Sequence, residues 1–240
     1  MQWQDEGIII GVKRHGEGSV ILELMTKGHG RHLGLVRGGR SPRQQATLQA
    51  GNRVDAVWRA RIEEQLGTYA VEAVTLNTAR FLGVSVALYG LASAAALLRL
   101  LPERDPHPGL FEALGVLVDH LDDTSIAPAL LVRFELAMLA ELGFGLDLGA
   151  CAATGATAEL VYVSPKSGRA VSAAAGAPFH GRLLALPAFL RDDRSYDHPT
   201  SAEVVAGFAL TGYFLRRHVF MPRGLAWPDA RDLFVAQIRD

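Results

Sequence analysis

Apolar residues in the first third of the chain come in short runs that alternate with polar positions, and each run ends at a glycine-bearing turn. Five segments carry this strand pattern, at 7–14, 19–26, 31–38, 53–61 and 68–76. Their connections are His15-Gly16-Glu17-Gly18, Lys27-Gly28-His29-Gly30, a longer link at 40–51, and residues 63–67. The longer link opens with Ser41 and Pro42, runs through Gln44, Gln45, Ala46, Leu48 and Gln49, and stops at Gly51, which predicts a short helix. Three strands, a helix and two strands is the element order of an OB-fold barrel. A small barrel of the SH3 type stays open as the alternative. Beyond Asn77 the apolar spacing changes to three and four, and helices are expected at 81–101, 110–121, 127–142 and 202–219. Pro102, Pro106 and Pro108 end the first of these, Pro128 opens the third and Gly143 closes it. The expected fold class is therefore α+β in two domains. A five-stranded OB-fold barrel occupies 1–78, and a mainly helical domain occupies 79–240, with an irregular lobe at about 149–178. That lobe is rich in small residues and holds one strand-like run at 160–163, followed by a hairpin turn at 164–169.

One stretch imitates a membrane span. Residues 81–98 carry no charge, but at about 1.5 Å per residue they reach only ~27 Å. Gly83, Ser85, Gly90 and Ser93 among many alanines suit a buried helix with close neighbours instead. The polar, acidic start of the chain does not read as a signal peptide, and a cytoplasmic location is expected. Cys151 is the single cysteine, so neither an internal disulfide nor a cysteine-rich zinc site is available.

Charge changes the picture only when it is divided. The whole chain has 24 basic and 25 acidic side chains. Between Lys13 and Arg61, however, lie Lys13, Arg14, Lys27, Arg31, Arg37, Arg40, Arg43, Arg53, Arg59 and Arg61 against only Glu17, Glu23 and Asp55. A basic barrel joined to an acidic remainder points to a polyanion partner for the barrel. In the fourth strand, Val54, Ala56 and Trp58 fall on the core face and the arginines on the outer one. The candidate contacts to such a polyanion are Lys13, Arg14, Lys27, Arg31, Arg37, Arg40, Arg43, Arg59 and Arg61, mainly to phosphates, with His29 and Tyr69 beside them. Arginine outnumbers lysine 21 to 3, a bias that base composition alone produces, so the clustering and not the ratio carries the reading. In the helical part, Arg216 and Arg217 lie near Phe214 and Phe220, a combination that suits an acidic peptide tail with a hydrophobic end if the two rings are exposed. An ordinary amphipathic helix is the competing interpretation.

Catalytic signatures are missing. The chain has no phosphate-binding Gly-x-x-x-x-Gly-Lys-Ser/Thr loop, no His-Glu-x-x-His and no Gly-x-Ser-x-Gly, the nearest approach being Gly83-Val84-Ser85-Val86-Ala87 inside the apolar stretch. His29 and His32 are three apart in extended chain and face opposite ways, so they do not form a metal pair. The acid pairs Asp122-Asp123 and Asp192-Asp193 fall in loops and read as solvated charge.

The order of motifs resembles a known family. Glu6-Gly7-Ile8-Ile9-Ile10, His15-Gly16-Glu17, Thr26-Lys27-Gly28-His29-Gly30-Arg31, Val36-Arg37-Gly38-Gly39-Arg40, Leu48-Gln49-Ala50-Gly51 and Leu66-Gly67-Thr68-Tyr69 are similar to the N-terminal domain of RecO, the bacterial recombination mediator. Phe134-Glu135-Leu136, the 142–148 turn and Ser164-Pro165-Lys166-Ser167-Gly168-Arg169 continue the likeness into the C-terminal part. The resemblance implies a non-catalytic protein that binds single- and double-stranded DNA, anneals complementary strands and assists RecA loading onto strands coated by single-strand binding protein. It also implies RecR and the acidic tail of the single-strand binding protein as partners, and association with the nucleoid. Many relatives carry a four-cysteine zinc module. Here the stretch reads Cys151-Ala152-Ala153-Thr154-Gly155 and the later pair is missing, so a metal-free lobe with no cofactor is expected. A protein-docking adaptor and an RNA-directed OB module are the readings to be separated from this one.

Overall fold

A computed structural model describes residues 1–191 and 199–238. The chain divides into two compact units, Met1–Asp122 and Asp123–Asp240. The first holds strands β1 (Gln2–His15), β2 (Ser19–Thr26), β3 (Gly30–Val36), β4 (Arg53–Arg59) and β5 (Thr68–Thr75). Its helices are α1 (Pro42–Gln45), α2 (Thr78–Phe81), α3 (Ser85–Leu98) and α4 (Pro108–His120).

The five strands close into a barrel in the order β1-β2-β3-β5-β4. Closure rests on the length of β1. Its first half pairs with β4, from Gln2 opposite Arg59 to Ile8 opposite Arg53, and its second half pairs with β2, from Gly7 opposite Thr26 to His15 opposite Ser19. The register slips between Ile9 and Gly11, the bulge that lets one strand turn the corner between two partners. A parallel contact between Leu35 and Thr68 seals the other side. These pairings, with α1 between β3 and β4, give the OB-fold order and set aside the SH3 alternative. Alternate residues Val20, Leu22, Leu24, Val54, Ala56 and Trp58 fill the interior with Ile9, while Leu48 joins them from the loop after α1. Ile8 and Ile10, on the opposite side of β1 from Ile9, are also buried, which is why this strand reads as one continuous apolar run. Helix α3 packs on β1.

Two expected helices differ in detail. The link helix is a single turn, α1, and not a run to residue 49. The apolar stretch at 81–101 is broken at 82–84, where Gly83 adopts φ 82°, so α3 begins only at Ser85. Buried Asn52 fixes the start of this region: its amide donates to the Ala46 and Thr47 carbonyls and its Oδ1 accepts from the Thr78 amide and hydroxyl. No helix among the described residues is long and apolar enough to cross a membrane.

The second unit holds α5 (Ala127–Glu141), β6 (Leu160–Val163), β7 (Ala170–Ser172), α6 (Ala173–Gly176), β8 (Leu184–Ala185), α7 (Ser201–Phe214) and α8 (Asp229–Val235). The 164–169 turn joins β6 to β7 as expected, and β8 completes a three-stranded sheet in the order β7-β6-β8. Helix α7 starts at a capping box, with Thr200 and Glu203 satisfying each other's backbone amides, and runs on into a wider π-helical turn at Leu215–Phe220. Helices α5 and α7 pack together around a charged core. Glu135, fully buried, accepts from Arg231 at both oxygens, 2.7 and 2.9 Å, and from the Thr211 hydroxyl.

Candidate nucleic-acid interface

The barrel sorts the basic residues into two sets that are alike in sequence. The first is held inside its own unit. Arg31 Nη1 donates to Glu23 at 2.9 Å, its Nε and Nη2 reach the Leu101 carbonyl at 3.3 Å, and Glu103 lies 3.6 Å away. Glu23, only 9% exposed, also holds Arg99. Arg31 is thus a strut between β3 and the chain after α3, and its guanidinium is not offered to phosphate, a correction to the sequence expectation. Arg53 is likewise tied, to Glu6 at 3.4 Å and Asp119 at 2.9 Å. The outer face of β4 is therefore not a continuous basic track. In its middle, Asp55 stands opposite Glu6 on β1 and Glu72 on β5.

The second set is exposed and has no carboxylate partner within 4 Å among the described residues. Lys13 and Arg14 project from the end of β1, beside the turn at 15–18. Strand pairing places Arg14 opposite Val20 and Val20 opposite Val36, so Arg37, just past β3, lies at the same end of the barrel. Arg40 is anchored there: its amide donates to the Gly18 carbonyl at 3.2 Å and its Nη1 to the Glu17 carbonyl at 2.6 Å, contacts that fix the side chain without cancelling its charge. Arg43 is carried by α1. Arg59 closes the group. Its Nε donates to Gln2 Oε1 at 2.9 Å, and it shares with Arg37 and Gln44 a cleft of about 430 Å³ between the end of β3, α1 and β4–β5. The structure thus brings Lys13, Arg14, Arg37, Arg40 and Arg43 to one end of the barrel, and the shared cleft links Arg37 to Arg59, which lies opposite Gln2 at the start of β1. Lys27 lies at the far end of β2, and Arg61 in the loop after β4; both are exposed.

One aromatic candidate turns inward. Tyr69 is buried, and its hydroxyl lies 3.0 Å from His32 Nδ1. Burial, followed by the nearby Asp5 charge, pushes the phenol up, so it keeps its proton. Burial, followed by the Arg104 charge, lowers His32 to about 4, so at neutral pH the imidazole beside that hydroxyl is uncharged. Tyr69 therefore belongs to the barrel core, its hydroxyl turned to His32, while it also lines the cleft that holds Arg37 and Arg59. Trp58 is also internal, its indole donating to the Leu66 carbonyl at 3.0 Å. His29 remains partly exposed, its Nδ1 2.9 Å from Asp5.

In the second unit, Phe214 and Phe220 are 2% and 5% exposed, which corrects the expectation of presented rings. Phe214 instead contributes to a shallow cleft of about 220 Å³ shared with Phe144, Lys166 and His218. Arg216 and Arg217 are exposed. The first lies 4.2 Å over the Trp227 ring, and the second donates to the Tyr213 hydroxyl at 3.2 Å. Cys151 is buried and accepts from the Ser172 amide at 3.3 Å. Among the described residues, no three His, Cys, Asp or Glu side chains are grouped to hold a metal. Asp122 is taken up by Arg80, and Asp123 caps Ser125. The pair Asp192-Asp193 lies outside the described residues.

Two family models cover most of the chain. The one described as recombination protein O N terminal matches residues 1–77, and the one described as recombination protein O C terminal matches residues 85–225. The chain belongs to the RecO family. Proteins named DNA repair protein RecO align along nearly its whole length. That of Methylobacterium nodulans is 66% identical over 98% of this chain and 97% of its own. That of Methylorubrum extorquens is 61% identical over 98% of both, and that of Beijerinckia indica is 60% identical over 99% of this chain and 95% of its own. In this RecO-family chain the motif order found in the sequence and the matched regions coincide. Two residues at the barrel mouth, Trp3 and Arg104, escaped the sequence reading. Trp3 sits in a polar run and Arg104 in a proline-rich loop, and only the folded barrel brings them to one pocket.

Proposed function

We propose that this chain acts in DNA repair as a non-catalytic, DNA-binding recombination mediator. The observation that carries the reading is the gathering of Lys13, Arg14, Arg37, Arg40 and Arg43 at one end of a closed barrel, joined through a cleft to Arg59, all exposed and without carboxylate partners among the described residues. Cations fixed on a rigid surface hold single or double strands by their phosphates. Two complementary strands neutralised on such a surface repel each other less, which favours annealing without any nucleophile. Membership of the RecO family supports extending this to RecA loading onto strands coated by single-strand binding protein, with RecR as a further partner. The exposed Arg216 and Arg217, and the cleft beside Lys166 and Phe144, are the features of the second unit that suit the acidic tail of the single-strand binding protein.

The test is annealing of complementary strands precoated with single-strand binding protein, with and without the chain. Acceleration that disappears when Arg37 and Arg59 are replaced supports the reading, and no acceleration overturns it. One observation favours a protein-docking reading: a groove of about 530 Å³ along α1 and α2, on which Leu76 and Leu82 are exposed. Failure to bind any oligonucleotide at about 50 mM salt would favour that reading. Competition between RNA and DNA strands of equal sequence separates an RNA-directed module from a DNA-directed one.

A further inference from the structure

The end of the barrel away from the 15–18 turn carries a different chemistry. Sheet order β4-β1-β2 sets Trp58 on one side of Trp3 and the β2–β3 turn on the other. The Trp3 ring lies 5.7 Å from Trp58 at 18° and 4.1 Å from His29 at 9°. The three near-parallel rings form a column that starts in the core and ends at His29, whose side chain is 36% exposed. Asp5 fixes this last ring, accepting from the Gly28 amide at 2.7 Å and contacting His29 Nδ1 at 2.9 Å. Beside the column is a pocket of about 310 Å³, with the edge of His32 at its back and Arg104 and Glu63 among its walls.

Arg104 is held there under strain. It is a non-glycine residue at φ 65°, pinned by its amide to the Arg31 carbonyl and by Nη2 to the Gln65 carbonyl, both at 2.9 Å. Its Nε is buried with no hydrogen-bond partner, an uncommon condition for a guanidinium. A guanidinium kept in this conformation at the wall of a pocket suits a ligand with a hydrogen-bonding edge.

We infer that this pocket takes one unpaired base of a DNA strand, stacked on the outer face of His29 with its polar edge toward Arg104. The ligand must be planar, because the column presents a ring face, and small, because the volume lies at the lower bound for ligand pockets. Its walls carry both signs, the Arg104 guanidinium and the Glu63 carboxylate, with His32 neutral and Asp5 engaged by His29, a mixture that suits a polar, uncharged edge better than a phosphate. A nucleobase meets these conditions and the sugar-phosphate backbone does not. The inference rests on the DNA-binding reading above but concerns the opposite end of β2, and its test separates the two.

The full-length chain is titrated with two labelled strands of equal length and phosphate number, one of deoxythymidine and one fully abasic. The base-bearing strand is expected to bind about tenfold tighter. His29→Ala should abolish that preference while leaving the salt dependence of the abasic strand unchanged, and His29→Phe, which restores a ring, should recover it, with melting temperatures checking that both variants fold. Equal affinity of the two strands for the unaltered protein, or a preference that survives His29→Ala, overturns the base pocket and leaves the phosphate surface standing. Loss of the preference in His29→Phe as well overturns it too, since stacking would not be what was removed. If neither strand binds, both readings fall.

Discussion

Replacing Arg37 and Arg59 together by alanine tests the phosphate surface where its geometry is best defined. Both guanidinium groups line one cleft, and neither has a carboxylate within 4 Å among the described residues. If the six presented cations each neutralise one phosphate of a single strand, the logarithm of the binding constant falls with the logarithm of salt at a slope of about −4.2. A rise from about 50 to about 200 mM then weakens binding roughly 300-fold. Removing two of the six brings the slope to about −2.8 and the weakening to roughly 50-fold. Fluorescence anisotropy of a labelled oligonucleotide, titrated at several salt concentrations, measures both slopes. Arg31→Ala is the matched control. It also removes one positive charge from the barrel, but that charge is already held by Glu23, so the slope should stay that of the unaltered chain. The loss should appear in stability instead, at about 1–3 kcal/mol for hydrogen bonds to a charged partner. An unaltered slope in the double variant, or an equal flattening by Arg31→Ala, would refute the division of the arginines into presented and engaged sets.

Three further outcomes are expected. Arg231→Met should destabilise the second unit by about 3–5 kcal/mol, because Glu135 is left charged and unpaired in the core, and thermal melting of the double change Glu135→Leu with Arg231→Met should recover most of it; no recovery would mean the pair is not what is lost. His32 is lowered to about 4 in the folded chain and titrates near 6.5 when unfolded, so the unfolded form binds more protons between those values. The contribution of His32 is therefore complete above pH 6.5 and is lost as the pH falls toward about 4, a difference of about 3 kcal/mol. Melting temperatures across that window should fall less steeply in His32→Gln, and identical curves would contradict the assignment. Chelation with EDTA should leave the melting temperature unchanged, since Cys151 has no second thiol to share a metal; a drop of several degrees reversed by zinc would overturn this.

The strands of the barrel were legible because each has one face in the core and so alternates, as at Val54, Ala56 and Trp58. The first half of β1 was not, since Gln2, Gln4, Asp5 and Glu6 have no apolar rhythm and are extended only because β4 pairs with them. Helix periodicity ran straight through Gly83, where backbone conformation and not hydrophobicity makes the break. The charge count identified which cations exist, yet it could not tell Arg31 and Arg53 from Arg37 and Arg59. The distinction lies in carboxylates far along the chain, such as Asp119 opposite Arg53. Phe214 and Phe220 misled for a related reason: the exposed stripe of α7 is itself apolar, at Ala202, Val205 and Ala209, so no polar face marks which rings are covered.

The double partnership of β1 has a practical consequence. Among the strands of the barrel, only its opening residues shield the flank of β4 that faces away from β5. A variant trimmed by six residues would leave two open edges of unpaired amides and carbonyls and would uncover the indole of Trp58, turning a self-contained cylinder into a template for intermolecular sheet growth. Affinity tags and fusions are better placed at the other terminus.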